Sequence, residues 1–458
     1  MKVLHYTLGL PPYRSGGLTK YSLDLMMAQI ESGYNVNLLY PGQLGPLNKV
    51  KIIKNKDYKN VAVYELINPL PVSLLGGVKN PSNFMKPLDE KSIYVNFLEE
   101  IQPDVIHIHT LMGIHCEFVE TAKDLGIKLV FTTHDYYGIC PKVNLFDNNS
   151  NICNDFSDGE KCISCNNNAY SMSMIYLMQS HLYKDLKNSE FMKRLRARKK
   201  NNIQTLEGKE AKSIEKKKSN YSLSLKKQFS DLRNYYINML NMMDEIHFNS
   251  KLAKNEYEKY ISATGKVVSI THAGIKDNRR RKYYNSTHAL QIGFLGPIDE
   301  YKGFPLLRKS LLELIDNNEL NWHLHVFGND RTITLDQDEN FISFHGRYEY
   351  SNLKNIFKDI DVLVIPSIWK ETFGFIGLEA ISHGVPTIVT TCVGFKDLVQ
   401  NHMNGLIVNP NFTELAEAIK YVINNRHKLQ EWNENICSKE FELIIASHKE
   451  SIEALYQK

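Results

Sequence analysis

The chain has 458 residues, of which 43% are hydrophobic and 23% charged, and a net charge of only +4. That length exceeds one ordinary core and predicts two domains of ordinary globular composition. No apolar run approaches the ~18 residues of a membrane span. The apolar start 3–10 runs into Pro11, Pro12 and Arg14 with no small-residue cleavage pattern, so it reads as a buried first strand rather than a signal peptide, and the expected location is the cytoplasm.

Short runs rich in Val, Ile and Leu predict strands over 3–8, 36–40, 61–66, 104–109, 129–134, 245–249 and 267–271. Helical patterns over 19–31, 95–100 and 117–125 fall between them. The alternation implies a doubly wound α/β domain over 1–275. Two stretches inside it follow neither pattern. Residues 140–165 form a polar loop holding Cys140, Cys153, Cys162 and Cys165, four of the seven cysteines of the chain. The Cys-x2-Cys pair is the usual chelating hairpin of a zinc site, and four thiolates complete a closed tetrahedral shell, so a structural zinc is expected there. The alternative is four ordinary thiols in a flexible loop.

Residues 171–243 lack any strand signal and predict inserted helices. Within them, 184–233 carries 16 Lys or Arg against 6 Asp or Glu, including Lys193, Arg194, Arg196, Arg198, Lys199 and Lys200 and then Lys216, Lys217 and Lys218. Such a segment is either a solvated face or a contact for an anionic membrane surface, at ~1 kcal/mol per basic residue near the headgroups. Flanking Met, Tyr, Leu and Ile would insert shallowly. Nucleic acid is not the expected partner, because no recognition module accompanies the charge.

Residues 276–289, with Arg279, Arg280 and Arg281, have no apolar periodicity and read as a linker. A second α/β domain over 290–435 follows. Its strands are predicted at 290–295, 323–327, 342–345, 362–366, 387–390 and 405–408, and its helices at 305–316, 350–358, 375–383 and 412–424. The tail 428–458 is helical, with apolar positions that need a surface to cover.

The strongest chemical signal follows the strand that ends at Pro366. A loop with Glu371 leads through Gly374 into a helix from Phe375, with Glu379 just over one turn inside and His383, Gly384, Val385 and Pro386 beyond. Helix starts beyond strand ends suit a diphosphate, and Gly374 allows close backbone approach. Two carboxylates so spaced can bind hydroxyls on either side of it: a sugar at Glu371, a ribose at Glu379.

This segment resembles the E-x7-E signature of glycosyltransferase family 4, retaining enzymes of the GT-B fold, in which two Rossmann-like domains face each other across a cleft. Three further segments are similar to that family in the expected order. They are Gly16 and Gly17 after the first strand, Thr132-Thr133-His134-Asp135, and the run from Gly293 to Lys302 and Gly303. The resemblance implies a nucleoside-diphosphate-sugar donor of the UDP or GDP type and transfer to a glycan or lipid-linked acceptor, as in cell-surface polysaccharide assembly. It assigns catalysis to His134, Glu371 and Lys302, and donor contacts to Gly16, Gly17, Lys302, Gly374, Phe375 and Glu379. No catalytic metal is expected. The tail, 436–458, would cross back to the first domain, and the enzyme would be cytoplasmic or peripheral on the inner membrane face. Pro297 stands where an arginine is common, which removes one cation from the phosphate loop; Arg347 is the candidate replacement. A GT-B nucleotide-sugar epimerase and a non-catalytic donor-binding partner are the alternative functions.

Overall fold

The computed structural model describes residues 1–45, 49–186, 218–328, 335 and 337–457. Its first sheet contains β1 (Lys2–Tyr6), β2 (Asn35–Pro41), β3 (Lys51–Lys54), β4 (Ala62–Ile67), β5 (Val105–Ile108), β6 (Lys128–Thr132), β7 (Glu245–Phe248) and β8 (Gly265–Val267). Their spatial order is β3-β4-β2-β1-β5-β6-β7-β8. All neighbours are parallel except β3 against β4. The second sheet has β9 (Leu290–Gly296), β10 (Trp322–Gly328), β11 (Ile342–Gly346), β12 (Val362–Ile365), β13 (Thr387–Thr390) and β14 (Gly405–Val408), in the order β11-β10-β9-β12-β13-β14, all parallel. Central strands such as β5, β12 and β13 are buried along their whole length, as parallel strands covered on both faces must be.

The sequence pattern misses β3. Its Lys-Ile-Ile-Lys is short and mostly exposed, an edge strand defended by charge rather than a core strand. The strand expected at 267–271 is realised earlier and shorter, as β8. Cys162 and Cys165 sit on a helix, Glu160–Cys165, instead of the expected chelating hairpin; Gly159 starts it in the left-handed region at φ 96°. The tail divides into helices Arg426–Ser438 and Ile445–Tyr456. Of the basic insert, helices His181–Leu186 and Lys218–Asn241 are described. The cluster Lys193 to Lys200, with Lys216 and Lys217, lies outside the described residues.

Side-chain bonds to backbone fasten the linker. Asn433, fully buried, donates to the carbonyls of Arg280 (2.9 Å) and Gly384 (2.6 Å) and accepts from Lys282 N (2.9 Å). Arg279 caps the end of helix Arg426–Ser438 through the carbonyls of Ile436 and Lys439. The helix Ile445–Tyr456 then packs on the first domain. His448 bonds Tyr21 at 2.8 Å, and Tyr456 accepts from Gln29 at 3.0 Å.

That return covers a polar seam in the first sheet. His5 on β1 is in register with His107 on β5, and Thr132 on β6 with His247 on β7. Burial lowers His5 and His247 to about 4, lowers His134 and His448 to about 3, and takes His107 and His109 well below their usual value. Unfolded histidines titrate near 6.5. Below that pH the unfolded chain therefore binds more protons than the folded one, and stability is lost as pH falls. Asp135, raised to about 6 by burial, acts in the opposite sense, but it is one group against six. Each ring contributes up to about 1.4 kcal/mol per pH unit in that window. The urea midpoint should therefore drop by several kcal/mol equivalents between pH 7.5 and 5.5. An equal or higher midpoint at pH 5.5 would show that these rings are not buried neutral.

Candidate functional site

Each sheet has one point where strand order reverses, between β1 and β5 and between β9 and β12. Connections leave in opposite directions there and open a crevice at the carboxyl ends of the strands. The predicted cleft residues emerge at or beside these points: Gly16 and Gly17 after β1, His134 after β6, Lys302 after β9, and Glu371, Gly374, Phe375 and Glu379 after β12.

On the second-domain side, Lys302 Nζ lies 2.7 Å from Glu371 Oε1, with side chains 20% and 13% exposed, and Ser367 Oγ donates to Glu371 Oε2 at 2.9 Å. The Lys302 ammonium also stands 5.2 Å from the Trp369 ring centroid. Gly303 explains how Lys302 gets there. Its φ is +77°, and a Cβ on it would sit 1.8 Å from the Pro366 carbonyl oxygen, so only glycine lets the two loops touch.

Glu379 is 2% exposed, on the helix Phe375–Ile381. Its Oε1 accepts from the Tyr350 hydroxyl, and its Oε2 has no partner among the described residues. His272 Nε2 faces the same Oε1 at 3.6 Å. Gly274 N–H donates to His272 Nδ1 at 3.0 Å, so the ring proton is on Nε2, toward the acid. Burial, followed by the Glu379 charge, raises the Tyr350 phenol, and the Lys20 ammonium stands 3.3 Å over its ring. His272 Nε2–H thus points to the Tyr350 hydroxyl at 3.4 Å, and that hydroxyl donates to one carboxylate oxygen, which leaves the other for a hydroxyl.

The two sides touch through the loop after β12. A Cβ on Gly17 would meet the Phe375 ring at 3.3 Å. Thr372 Oγ1 donates to the His134 carbonyl at 2.8 Å, and Ser250 Oγ donates to the Thr372 carbonyl at 2.5 Å. Lys370 reaches Glu256 at 2.8 Å and Asn154 at 2.9 Å, with both charged side chains at or under 9% exposure. His134 and Glu371 therefore share one crevice. Sequence reasoning missed Tyr350, His272, Lys370, Thr372 and Ser250. Lys370 and Thr372 flank Glu371 in the motif itself, whereas Tyr350 and His272 reach Glu379 only through the fold. Arg347 is exposed on the turn after β11, and the structure gives it no part in the site.

Cys140 and Cys162 are buried, Cys153 and Cys165 half-buried, and all four thiols are free. Arg233, 3% exposed, donates from Nη2 to Cys162 Sγ at 3.9 Å and stacks 3.5 Å from the Phe156 ring centroid, while its Nε and Nη1 have no partner among the described residues. Burial pushes the Cys162 thiol up to about 12, with Arg233 pulling the other way. The cluster of three metal-type ligands found close together among the described residues is instead His5, His107 and His109, within 4.8 Å of one another.

Comparison with known proteins fits this geometry. A family model described as glycosyl transferases group 1 matches residues 275–438, and one described as glycosyltransferase family 4 matches residues 15–151. An uncharacterized glycosyltransferase of Methanocaldococcus jannaschii is 26% identical over 169 residues, 33% of this chain and 43% of that protein. A capsular polysaccharide biosynthesis glycosyltransferase of Staphylococcus aureus is 26% identical over 177 residues, 37% of this chain and 43% of that protein. The matched stretches thus span under half the length of these two relatives. Among solved structures, Anabaena HepE in complex with UDP aligns at a TM-score of 0.56 and 14% identity over 99% of both chains. Sucrose-phosphate synthase of Thermosynechococcus elongatus aligns at 0.53 and 12% identity over 99% of this chain and 98% of that one. Two family models that together match 301 of the 458 residues, and a two-sheet architecture shared with GT-B structures end to end, place this chain in the family 4 type of glycosyltransferase, with the GT-B fold.

Proposed function

We propose that the protein moves a sugar from a UDP- or GDP-type nucleoside-diphosphate sugar to a hydroxyl of a glycan or lipid-linked acceptor, with retention of configuration, in cell-surface polysaccharide assembly. The observation that carries this reading is the Lys302–Glu371 ion pair on a loop that bonds the His134 carbonyl through Thr372 and leads into the helix bearing Glu379, whose Oε2 has no partner among the described residues. Bound donor would separate the pair: Lys302 turns to the diphosphate, and Glu371 takes sugar hydroxyls. Glu379 Oε2 accepts from a ribose hydroxyl. His134 meets the transferred sugar. Retention follows from front-side displacement in which the departing phosphate takes the acceptor proton, so the protein contributes charge stabilisation and placement. With Pro297 in the phosphate loop, Lys302 bears most of that charge. The UDP bound by HepE and the capsular role in the name of the staphylococcal relative agree with the donor class and the pathway.

Lys302→Ala and Glu371→Gln should each lower transfer by roughly 10²-fold or more while the melting curve stays close to wild type. The donor is found first by thermal shift against UDP- and GDP-sugars, since ligand at 100 Kd stabilises by about 2.7 kcal/mol. Full activity in both variants defeats the assignment. Turnover of donor without acceptor identifies an epimerase or hydrolase instead. A shift with no turnover under any acceptor identifies a donor-binding partner protein.

Two further proposals concern the surroundings of the site. The four cysteines hold a structural zinc: a tetrathiolate zinc carries two net negative charges, and Arg233 offers buried, unpartnered N–H groups beside them. Metal analysis of protein purified without chelator should find about one zinc per chain; none would refute it. The segment 184–233 contacts an anionic membrane surface. No described helix is long and apolar enough to cross a membrane, but Tyr170, Tyr176 and Leu177, which precede the segment in sequence, and Leu186 and Leu223, within it, are exposed. The protein should float with vesicles rich in anionic lipid at low salt and sink with neutral ones. Sedimentation with both would remove the proposal.

A further inference from the structure

A continuous line of hydrogen bonds leaves the cleft at His134 and ends on a main-chain carbonyl inside the first domain. His134 Nε2 lies 3.2 Å from His109 Nδ1, and His109 Nε2 lies 3.0 Å from His5 Nδ1. His5 Nε2 is 2.8 Å from Gln29 Oε1, and Gln29 Nε2 is 3.0 Å from the Tyr456 hydroxyl. That hydroxyl is 2.7 Å from His107 Nδ1, and His107 Nε2 is 2.7 Å from Thr132 Oγ1. Thr132 Oγ1 is 3.0 Å from His247 Nδ1, and His247 Nε2 is 2.7 Å from the Val268 carbonyl oxygen. Every side chain of the line except His134 is buried, and the terminal residue Val268 is half-buried.

The far end decides where the protons are. A carbonyl oxygen only accepts, so His247 carries its proton on Nε2. A neutral His247 then has a bare Nδ1, which takes the Thr132 hydroxyl proton. Thr132 in turn accepts from His107 Nε2–H, and His107 Nδ1 accepts from the Tyr456 hydroxyl. Tyr456 accepts from the Gln29 amide, whose oxygen must therefore face His5, as it does. His5 donates from Nε2 to that oxygen and accepts at Nδ1 from His109 Nε2–H. His109 Nδ1 accepts from His134 Nε2–H. Each link has one donor and one acceptor, and the polarity set at Val268 survives all eight bonds. Tyr21 also bonds Thr132 and lies 2.8 Å from His448 Nε2; whether the Thr132 proton points to His247 or to Tyr21, its oxygen still accepts from His107. Neutral rings are the state that burial enforces throughout the seam. The same chain argues against a metal at His5, His107 and His109, since all six of their ring nitrogens already have partners.

We infer that His109, His5, Gln29, Tyr456, His107, Thr132 and His247 act as positioning residues for His134: they hold its proton on Nε2 and leave Nδ1 bare, so that His134 meets a bound sugar as a neutral hydrogen-bond acceptor. The role toward sugar rests on the transfer reading above; the proton positions do not. The groups facing His134 are His109 just after β5, His247 from β7, Tyr21 from helix Gly17–Glu31, with ring centroids 4.9 Å apart, and His448 from helix Ile445–Tyr456. Asp135 follows it in the chain, and Thr372 binds its carbonyl rather than its ring. Tyr456 makes the tail helix a member of the chain, so the last turn of the protein governs a proton in the cleft.

The test is long-range ¹H–¹⁵N correlation on the full chain with ¹⁵N-labelled histidine, with His134 assigned by its loss in His134→Gln. The expected wild-type spectrum has His134 as the Nε2–H tautomer, unchanged from pH 8 to 6. Thr132→Val keeps the side-chain shape and removes the hydroxyl that links His134 to Val268. The two polarities then approach equal energy, and His134 shifts toward a mixture of tautomers. Thr132→Ser restores the wild-type pattern. Should Thr132→Val fail to fold, Tyr456→Phe cuts the chain at its middle and is expected to give the same mixture. An Nδ1–H or doubly protonated His134 in the wild type overturns the inference, as does a wild-type pattern in the folded cut variant. No substrate is needed, so loss of the transfer reading would leave this result standing, and its failure would leave donor binding intact.

Discussion

The short loop between β12 and helix Phe375–Ile381 is the constraint on which the site depends, because it is bonded to both domains at once. On one side Glu371 is held by Lys302 and Ser367; on the other, Thr372 and Lys370 bind backbone and carboxylate groups of the first domain. Both ends of the Lys370–Glu256 pair are buried, and each has a second partner, Lys259 on Glu256 at 2.7 Å and Asn154 on Lys370 at 2.9 Å, so the contact is a small network rather than an isolated pair. The bonds that hold the two domains together here and those that place Glu371 thus belong to one short loop. In the proposed reaction, a sugar bound between Glu371 and His134 would meet both only while this loop is docked.

Polar groups around Glu379 are arranged so that each has one defined protonation pattern. Tyr350, exposed as a residue, stays a phenol because desolvation of its hydroxyl against the buried Glu379 and the Glu379 charge both oppose its ionisation. His272 is fixed as the Nε2–H tautomer by a backbone N–H two residues away. The result is an acid with one oxygen fully committed and one free, which is a directional acceptor rather than a diffuse negative charge. In a low-dielectric crevice this distinction matters: an unsatisfied second donor or acceptor there costs about 1–3 kcal/mol.

Much of the fold was legible because parallel strands announce themselves. Runs such as Val-Leu-Val-Ile at β12 have no alternation, being covered on both faces, and motif residues at their carboxyl ends fall at the crevice by topology alone. Glu371, Glu379, Lys302 and His134 were readable for that reason. Tyr350 and His272 were not, since nothing local marks a tyrosine before helix Leu353–Asp359, or a histidine after β8, as neighbours of the same carboxylate. β3 escaped because an edge strand needs charge more than hydrophobicity. His107 and His109 are buried, and their bonding partners are set by the packing of several strands and the tail helix, which one sequence does not display. The Cys-x2-Cys pair suggested a hairpin. Gly159 starts a helix there instead, and on a helix residues three apart still share a face.

That last difference bears on how the cysteine loop relates to the cleft. Cys140 lies six positions beyond His134, and Asn154, in the same loop, accepts from Lys370. The loop is therefore tied to the hinge between domains at one end and to helix Lys218–Asn241 at the other, where Arg233 reaches Cys162 and Lys226 pairs with Glu160 at 3.3 Å. An exposed pair such as Lys226–Glu160 contributes little, whereas Arg233 is buried, stacked on Phe156, and has two N–H groups without a partner among the described residues. Under the zinc proposal, ordering the loop would fix Asn154, and through it Lys370. The cysteine cluster and the E-x7-E loop are in this way two ends of one mechanical connection, although 206 positions separate Cys165 from Glu371 in sequence.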